Sequence, residues 1–213
     1  TWTGDDELEA IILAGTGTVL ESNNATKLEF DFTPISNQIS FNFIFASDEY
    51  GQFQCSYSDS FAFILTDITT GEVSNLAVIP NTTTPISVIT IRDEQFNPNC
   101  DSQNVEYFDS FFGPVVFGGS PGLNPLGDPV GYNGFTVPLT AFSEVTAGNP
   151  YHIKLVVADR GDTAFDSAVF LKGDSFNIGN IELGDDFLET SGNAICPGDT
   201  VVIDSGLDPA FYN

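Results

Sequence analysis

The sequence predicts an all-β protein, an antiparallel β-sandwich of jelly-roll type. Apolar and polar residues alternate with a period of two along several short segments, and turn residues such as Asn81, Pro98 and Gly148 separate these segments. Only the acidic opening, residues 5–14, is a helix candidate, and a weak one, because an apolar stripe of 3.6-residue period is otherwise lacking. Many short strands without intervening helices are typical of a sandwich rather than a parallel sheet.

The strands follow from this alternation in chain order. In the clearest one, Ile39, Phe41, Phe43 and Phe45 alternate mainly with polar residues. Each strand of this kind is expected to bury one face and expose the other. The predicted strands are 27–32, 39–45, 61–65, 76–79, 86–91, 135–141, 151–158 and 168–172.

Two segments interrupt this pattern. Residues 112–132 are rich in Gly and Pro and show no period, which predicts a long surface loop, either a contact surface or a variable insertion without a role. Residues 179–213 are a polar, acidic connector followed by one strand candidate around Cys196. One strand cannot make a domain, so we predict a sandwich domain over 1–178 and the start of a truncated second domain over 179–213.

Charge limits the choice of partners. Thirty acidic residues face five basic ones, a formal net charge of −25. This excludes nucleic acid as a partner, disfavours an anionic lipid surface and favours divalent cations.

Direct membrane insertion is not expected, because the chain has no apolar run of about 18 residues. Because the chain begins with Thr1, we expect a mature or excised piece of a secreted protein.

Two acidic loops are candidates for a calcium site. One follows the strand that ends near Ala46, and the other lies between the strands 151–158 and 168–172. Calcium takes six to eight oxygen ligands, and carboxylates in two loops at one edge of a sandwich are able to supply them. The predicted ligands are Asp48, Glu49, Asp59, Asp159, Asp162 and Asp166.

The alternative is that these carboxylates cap turns by accepting backbone N–H bonds, as Asp does routinely. The chain contains no EF-hand pattern that would decide for the metal. Tyr50 and Tyr57, next to the first acidic loop, are candidates for stacking on a ligand such as a sugar ring. Packing in the core is the alternative use of these two rings.

Three cysteines are present. Cys55 and Cys100 lie in polar, loop-like sequence, and a secreted context permits their oxidation, so we predict a disulfide between them. Two free thiols are the alternative. Cys196 is expected to pair with a residue beyond this chain.

Catalysis is not expected. His152 is the only histidine and lies within a predicted strand. Neither a nucleophile elbow, a Gly-rich phosphate loop nor a zinc-binding spacing is found. Composition alone does not exclude a glycosidase, because such an enzyme would use two of the many carboxylates.

The same stretches resemble a known family, the choice-of-anchor L domain of bacterial surface proteins. The resembling segments are 28–32 (LEFDF), 39–50 (ISFNFIFASDEY), 55–65 (CSYSDSFAFIL), 78–88, 134–141 and 151–176. The resemblance implies placement at the cell surface in a large secreted protein, including proteins exported by the type IX system of gliding bacteria, and no catalytic residues. The tail 184–204 is similar to the openings of Ig-like repeats. Glu49, Cys55, Asp59 and Asp166 are loosely similar to the calcium site of CUB domains.

These observations lead to one functional hypothesis and one rival. The hypothesis is a non-catalytic, secreted module for adhesion or display at the bacterial cell surface. Bound calcium is expected to stabilise it. Its expected partners are a glycan or protein on other cells or surfaces, or other copies of itself. The rival is a carbohydrate-binding module of a secreted polysaccharide-degrading enzyme.

Overall fold

The computed structural model describes residues 2–17, 21–123 and 127–179. Within them the chain forms one α-helix, nine β-strands and a short 3₁₀ turn at Val105–Tyr107. The helix is α1 (Asp6–Thr16), and the strands are β1 (Ser22–Phe32), β2 (Gln38–Ser47), β3 (Ser60–Asp67), β4 (Val73–Asn75), β5 (Phe108–Phe111), β6 (Gly134–Thr136), β7 (Leu139–Glu144), β8 (Tyr151–Arg160) and β9 (Ser167–Leu171).

The strands form two antiparallel sheets. The first has the order β1-β8-β3-β4, and the second has the order β5-β6-β2-β7 with β9 also paired to β2. This confirms the predicted all-β sandwich, while the jelly-roll connection of its strands stays a prediction. The predicted weak helix is confirmed as α1.

The core between the sheets is built from phenylalanines that the alternation placed on one face of each strand. Phe41, Phe43 and Phe45 of β2 pack against Phe61 and Phe63 of β3, and all five are at most 4% exposed. The ring centroids of Phe43 and Phe63 lie 4.8 Å apart in an edge-to-face arrangement. Pairs of this kind add about 0.5–1.5 kcal/mol beyond the area they bury. The period-two phenylalanines therefore join the two sheets.

Helix α1 covers the outer face of the first sheet. Leu8 and Ile12 are buried against small and branched side chains of β3 and β8. The residues beneath the helix are Ala62, Ile64, Val156 and Ala158. Strand β3 is therefore buried on both faces, whereas its alternation had indicated burial of one face only.

The start of α1 is held by an ionic network. The Asp5 side chain caps the helix by accepting from the Leu8 N–H at 2.9 Å, and its other oxygen lies 2.8 Å from the Lys154 ammonium. Lys27 is a second ionic partner of Asp5. Burial opposes ionisation of Asp5, but hydrogen bonds from Lys154 and Lys27 outweigh it and lower its pKa to about 2. Three segments distant in sequence are thus joined at one buried carboxylate.

Some predicted elements differ from the structure. The predictions of full strands at 76–79 and 86–91 are wrong, although both segments are largely buried. Residues 76–79 contribute only an isolated bridge between Val78 and Pro85, and 86–91 fold as turns, in which the Ser87 N–H donates to Thr90 Oγ1. Burial without a continuous strand ladder explains the error, because buried apolar runs have the same sequence pattern whether or not they form a strand. The predicted strand 135–141 is split into β6 and β7 around Pro138. The predicted domain over 179–213, and Cys196 in it, lies outside the described residues except for Gly179.

Candidate functional site

The two acidic loops meet at one edge of the sandwich. The first loop follows β2 and the second joins β8 to β9. Because β9 pairs with the end of β2, the register places Ser47 opposite Ser167. The Asp48 N–H donates to the Asp166 carbonyl at 3.1 Å. The structure thus brings together the two loops that the sequence singled out.

Glu49 and Asp59 form the buried centre of this region. They are 3% and 2% exposed, and Glu49 Oε2 accepts from the Asp59 N–H at 2.7 Å. Asp59 Oδ2 and Ser167 Oγ are both buried without a hydrogen-bond partner among the described residues. A buried, unpartnered carboxylate oxygen is costly, so this arrangement calls for a proton, water or cation.

Burial and mutual repulsion shift both titrations. Burial raises the pKa of Glu49 to about 7, and the charges of Asp162 and Asp159 act in the same direction. Burial and the charge of Glu49 raise the pKa of Asp59 to about 8, while the facing Ser167 hydroxyl opposes that shift. The pair holds less negative charge at neutral pH than two ordinary carboxylates, because no partner compensates them fully.

Of the other predicted ligands, Asp162 makes the local hydrogen bond of a turn cap, whereas Asp48 and Asp159 bond to segments distant in sequence. Asp162 Oδ1 accepts from the Ala164 N–H at 2.9 Å, and Asp48 Oδ1 accepts from the Asn133 N–H at 3.1 Å. Asp159 Oδ2 accepts from Asn24 Nδ2 at 2.7 Å. Within the part of the chain that the structure describes, no three acidic, His or Cys side chains converge on a common metal position. The six predicted carboxylates lie in one region without forming a ready-made coordination shell.

The first acidic loop is anchored by the predicted disulfide and by residues that the sequence did not mark. Cys55 and Cys100 form the predicted disulfide. Gln54, fully buried, accepts from the Gly51 N–H at 3.1 Å and donates to the Asp93 carbonyl at 2.8 Å. Gly51 has a φ of 86°, and a Cβ there would lie 2.6 Å from the Phe111 ring, so only glycine fits. These contacts fix the backbone that carries Glu49.

The two tyrosines predicted to contact a ligand have different environments. Tyr50 is 1% exposed and packs on Phe108, so a sugar ring in solvent cannot stack on it, and the core alternative applies. Tyr57 is 49% exposed and forms an edge-to-face contact with Phe53. Alternation along the strands gave no means of separating these two residues, because both follow the last residue of β2.

A cleft of about 260 Å³ lies beside the acidic loops, and sequence reasoning missed most of it. Trp2, Asn24 and Tyr132 line it together with Asp159, Asp166 and Ser167. Trp2 is 63% exposed. It is also the only tryptophan of the chain, and this was the one feature of the sequence that could have pointed to the cleft. Tyr132 lies at the end of the 112–132 loop.

His152 has an ordinary strand position. Its Nδ1 lies 2.7 Å from Asp31 Oδ1, across the pairing of β8 with β1. The position of His152 within β8 confirms the predicted strand location.

The fold and this edge define an acidic, disulfide-bonded, antiparallel β-sandwich module. The chain belongs to the choice-of-anchor L domain family, whose profile matches residues 1–177. This confirms the resemblance seen in the sequence and makes the domain a surface-associated, extracellular module. No curated protein and no solved structure matches the chain. Among the described residues, no helix has the length and apolarity needed to cross a membrane.

Proposed function

We propose that this domain is a non-catalytic module for adhesion or display at the bacterial cell surface, stabilised by a calcium ion bound at Glu49 and Asp59. The observation that carries the calcium site is the buried, unpartnered Asp59 Oδ2 beside the Glu49 carboxylate. The adhesion role is supported by the family's extracellular setting and by the exposed cleft next to this pair.

Charge favours a cation at this position. The charge of Asp159 acts on both Glu49 and Asp59 and that of Asp162 acts on Glu49, while the charge of Arg160 acts on Glu49 in the opposite direction. Release of the protons that Glu49 and Asp59 retain near neutral pH would give a bound cation two anionic ligands. Calcium accepts backbone carbonyls and water along with carboxylates, so two buried carboxylates suffice as anchors. Magnesium is less suitable because it requires tight octahedral geometry.

Partners in this proposal are a glycan or protein on other cells or surfaces, or other copies of the same protein. Export by the type IX system and a role in gliding bacteria fit the same setting. The second candidate function is a carbohydrate-binding module of a polysaccharide-degrading enzyme, which the tryptophan in the cleft favours.

The calcium proposal is tested by thermal unfolding of metal-free protein. Calcium at 100 times its dissociation constant should add about 2.7 kcal/mol to the free energy of unfolding. Asp59→Asn should abolish this gain, whereas Asp109→Asn, at an exposed site on β5, should retain it. An unchanged melting temperature of the wild type on adding calcium rejects the metal.

Adhesion and catalysis are tested separately. Beads coated with the purified chain should adhere to cells or glycan surfaces above beads coated with an unrelated acidic protein. The same chain should not hydrolyse a panel of glycoside, ester and peptide substrates. Reproducible hydrolysis that one carboxylate substitution abolishes would refute the non-catalytic part.

A further inference from the structure

We infer that the cleft lined by Trp2, Asn24, Tyr132, Asp159, Asp166 and Ser167 binds one neutral sugar residue of a glycan. This inference rests on the proposed adhesion function and assigns its ligand class and its site. The two residues that the sequence suggested for ligand contact, Tyr50 and Tyr57, do not line this cleft.

The tryptophan of the cleft is held in place before any ligand arrives. Trp2 Nε1 donates to the Ala25 carbonyl at 3.1 Å, and Trp2 N–H donates to Asn24 Oδ1 at 3.0 Å. The indole N–H is therefore satisfied, while Trp2 as a whole residue stays 63% exposed. A large exposed aromatic ring on a fixed backbone suits stacking against the C–H face of a sugar.

A β-bulge in β1 builds the wall of the cleft. The pairing of β1 with β8 shifts register between Asn23 and Thr26, and Asn24 adopts a φ of 52° in the left-handed region, which Asn tolerates better than most residues. The bulge lets the Asn24 amide bridge two cleft residues, since its Oδ1 accepts from Trp2 and its Nδ2 donates to Asp159.

The polar groups match the hydroxyls of a neutral sugar. Asp166 is exposed and supplies a carboxylate acceptor, and Asp159, whose Oδ2 accepts from Asn24, has its other carboxylate oxygen as a second acceptor. The charges of Asp166 and Asp48 act on the Tyr132 phenol, which lines the cleft together with Asp166. These carboxylates and the net charge of −25 repel uronic acids and sulfated sugars.

The size of the cleft limits what it holds. Its volume of about 260 Å³ is below the ~300–1,000 Å³ that encloses drug-sized ligands. One sugar ring is therefore accommodated, and the rest of a glycan extends over the exposed surface.

The test uses the fluorescence of Trp2, which as the only tryptophan reports on the cleft alone. The full chain is titrated in calcium buffer with neutral hexasaccharides built from glucose, mannose, galactose or N-acetylglucosamine, and with polygalacturonate oligomers as the anionic arm. At least one neutral series should give a saturable spectral shift, and the anionic series should give none. No shift with any neutral series at millimolar concentration overturns the inference.

Variants tested by calorimetry make the assignment specific. Trp2→Ala should weaken binding about tenfold, equivalent to ~1.4 kcal/mol. Trp2→Phe should restore most of that affinity, and Tyr57→Ala, an exposed aromatic outside the cleft, should leave it unchanged. Equal binding by Trp2→Ala and wild type overturns the inference. If beads coated with Trp2→Ala adhere as well as wild-type beads, the cleft is not the binding site and the adhesion function stands. If wild-type beads do not adhere, the adhesion function itself is rejected.

Discussion

At the scale of single residues, Glu49 and Asp59 carry the unusual chemistry of this domain. Both are almost fully buried, one hydrogen bond links the Glu49 carboxylate to the backbone of Asp59, and one Asp59 oxygen has no partner in the described chain. Two buried carboxylates this close titrate as a pair, with protons leaving in coupled steps. Their protonation therefore links stability to pH.

Stability of the calcium-free protein should decrease as the pH rises. The folded-state pKa values of Glu49 and Asp59 are raised to about 7 and about 8, above their ordinary values. The folded state thus binds more protons than the unfolded state between about pH 4 and about pH 8, so the free energy of unfolding falls across that window. Urea unfolding in chelator at several pH values measures this. Asp59→Asn should flatten the curve, and a rise of wild-type stability with pH over the same window would contradict the prediction.

At the scale of elements, α1 supplies the second apolar layer of the first sheet. Leu8 and Leu13 lie on the same helix, but Leu8 is 0% exposed and Leu13 is 42% exposed. Leu8→Ala should lower the free energy of unfolding by about 2–5 kcal/mol because it leaves a cavity above β3 and β8. Leu13→Ala, the matched control, should change it by less than about 0.5 kcal/mol. Equal losses in urea unfolding would mean that the helix is not docked as described.

The disulfide is the element that closes the first acidic loop. Cys55 and Cys100 are separated by 45 residues, and the chain-entropy model gives roughly 4 kcal/mol for a loop of that length. The double variant Cys55→Ser/Cys100→Ser should lose up to about this amount in urea unfolding. It should also weaken the calcium response, since the loop holds Glu49. A double variant as stable as the wild type would show that Gln54 and the buried core hold the loop without the bond.

At the scale of the whole molecule, charge is the dominant property. The formal net charge is −25, and in the compact state the excess carboxylates repel one another and destabilise the fold. Raising the ionic strength from about 0.01 M to about 1 M shortens the Debye length from about 30 Å to about 3 Å. In chelator, the melting temperature should therefore rise with sodium chloride, and potassium chloride should act equally. A fall in melting temperature with either salt would show that attractive pairs such as Asp5–Lys154 outweigh the repulsion.

Much of the fold follows from local pattern. Alternation in β2, β3 and β8 predicts antiparallel strands because side chains on a strand point to opposite faces with a period of two. The same rule fails for 86–91, where a buried apolar run folds as turns. The sequence also predicted the Cys55–Cys100 pairing from context, and the structure confirms it.

By itself the sequence determined the class of this protein: an acidic, extracellular, all-β module with a disulfide and two acidic loops at strand ends. Only the tertiary structure decided that Glu49 and Asp59 become the buried pair while Asp162 caps a turn in solvent. It also decided that Trp2 and Tyr132 share a cleft although 130 residues of numbering separate them. The physical reason is that periodicity is a local property, whereas burial and proximity depend on which strands pair and in which register.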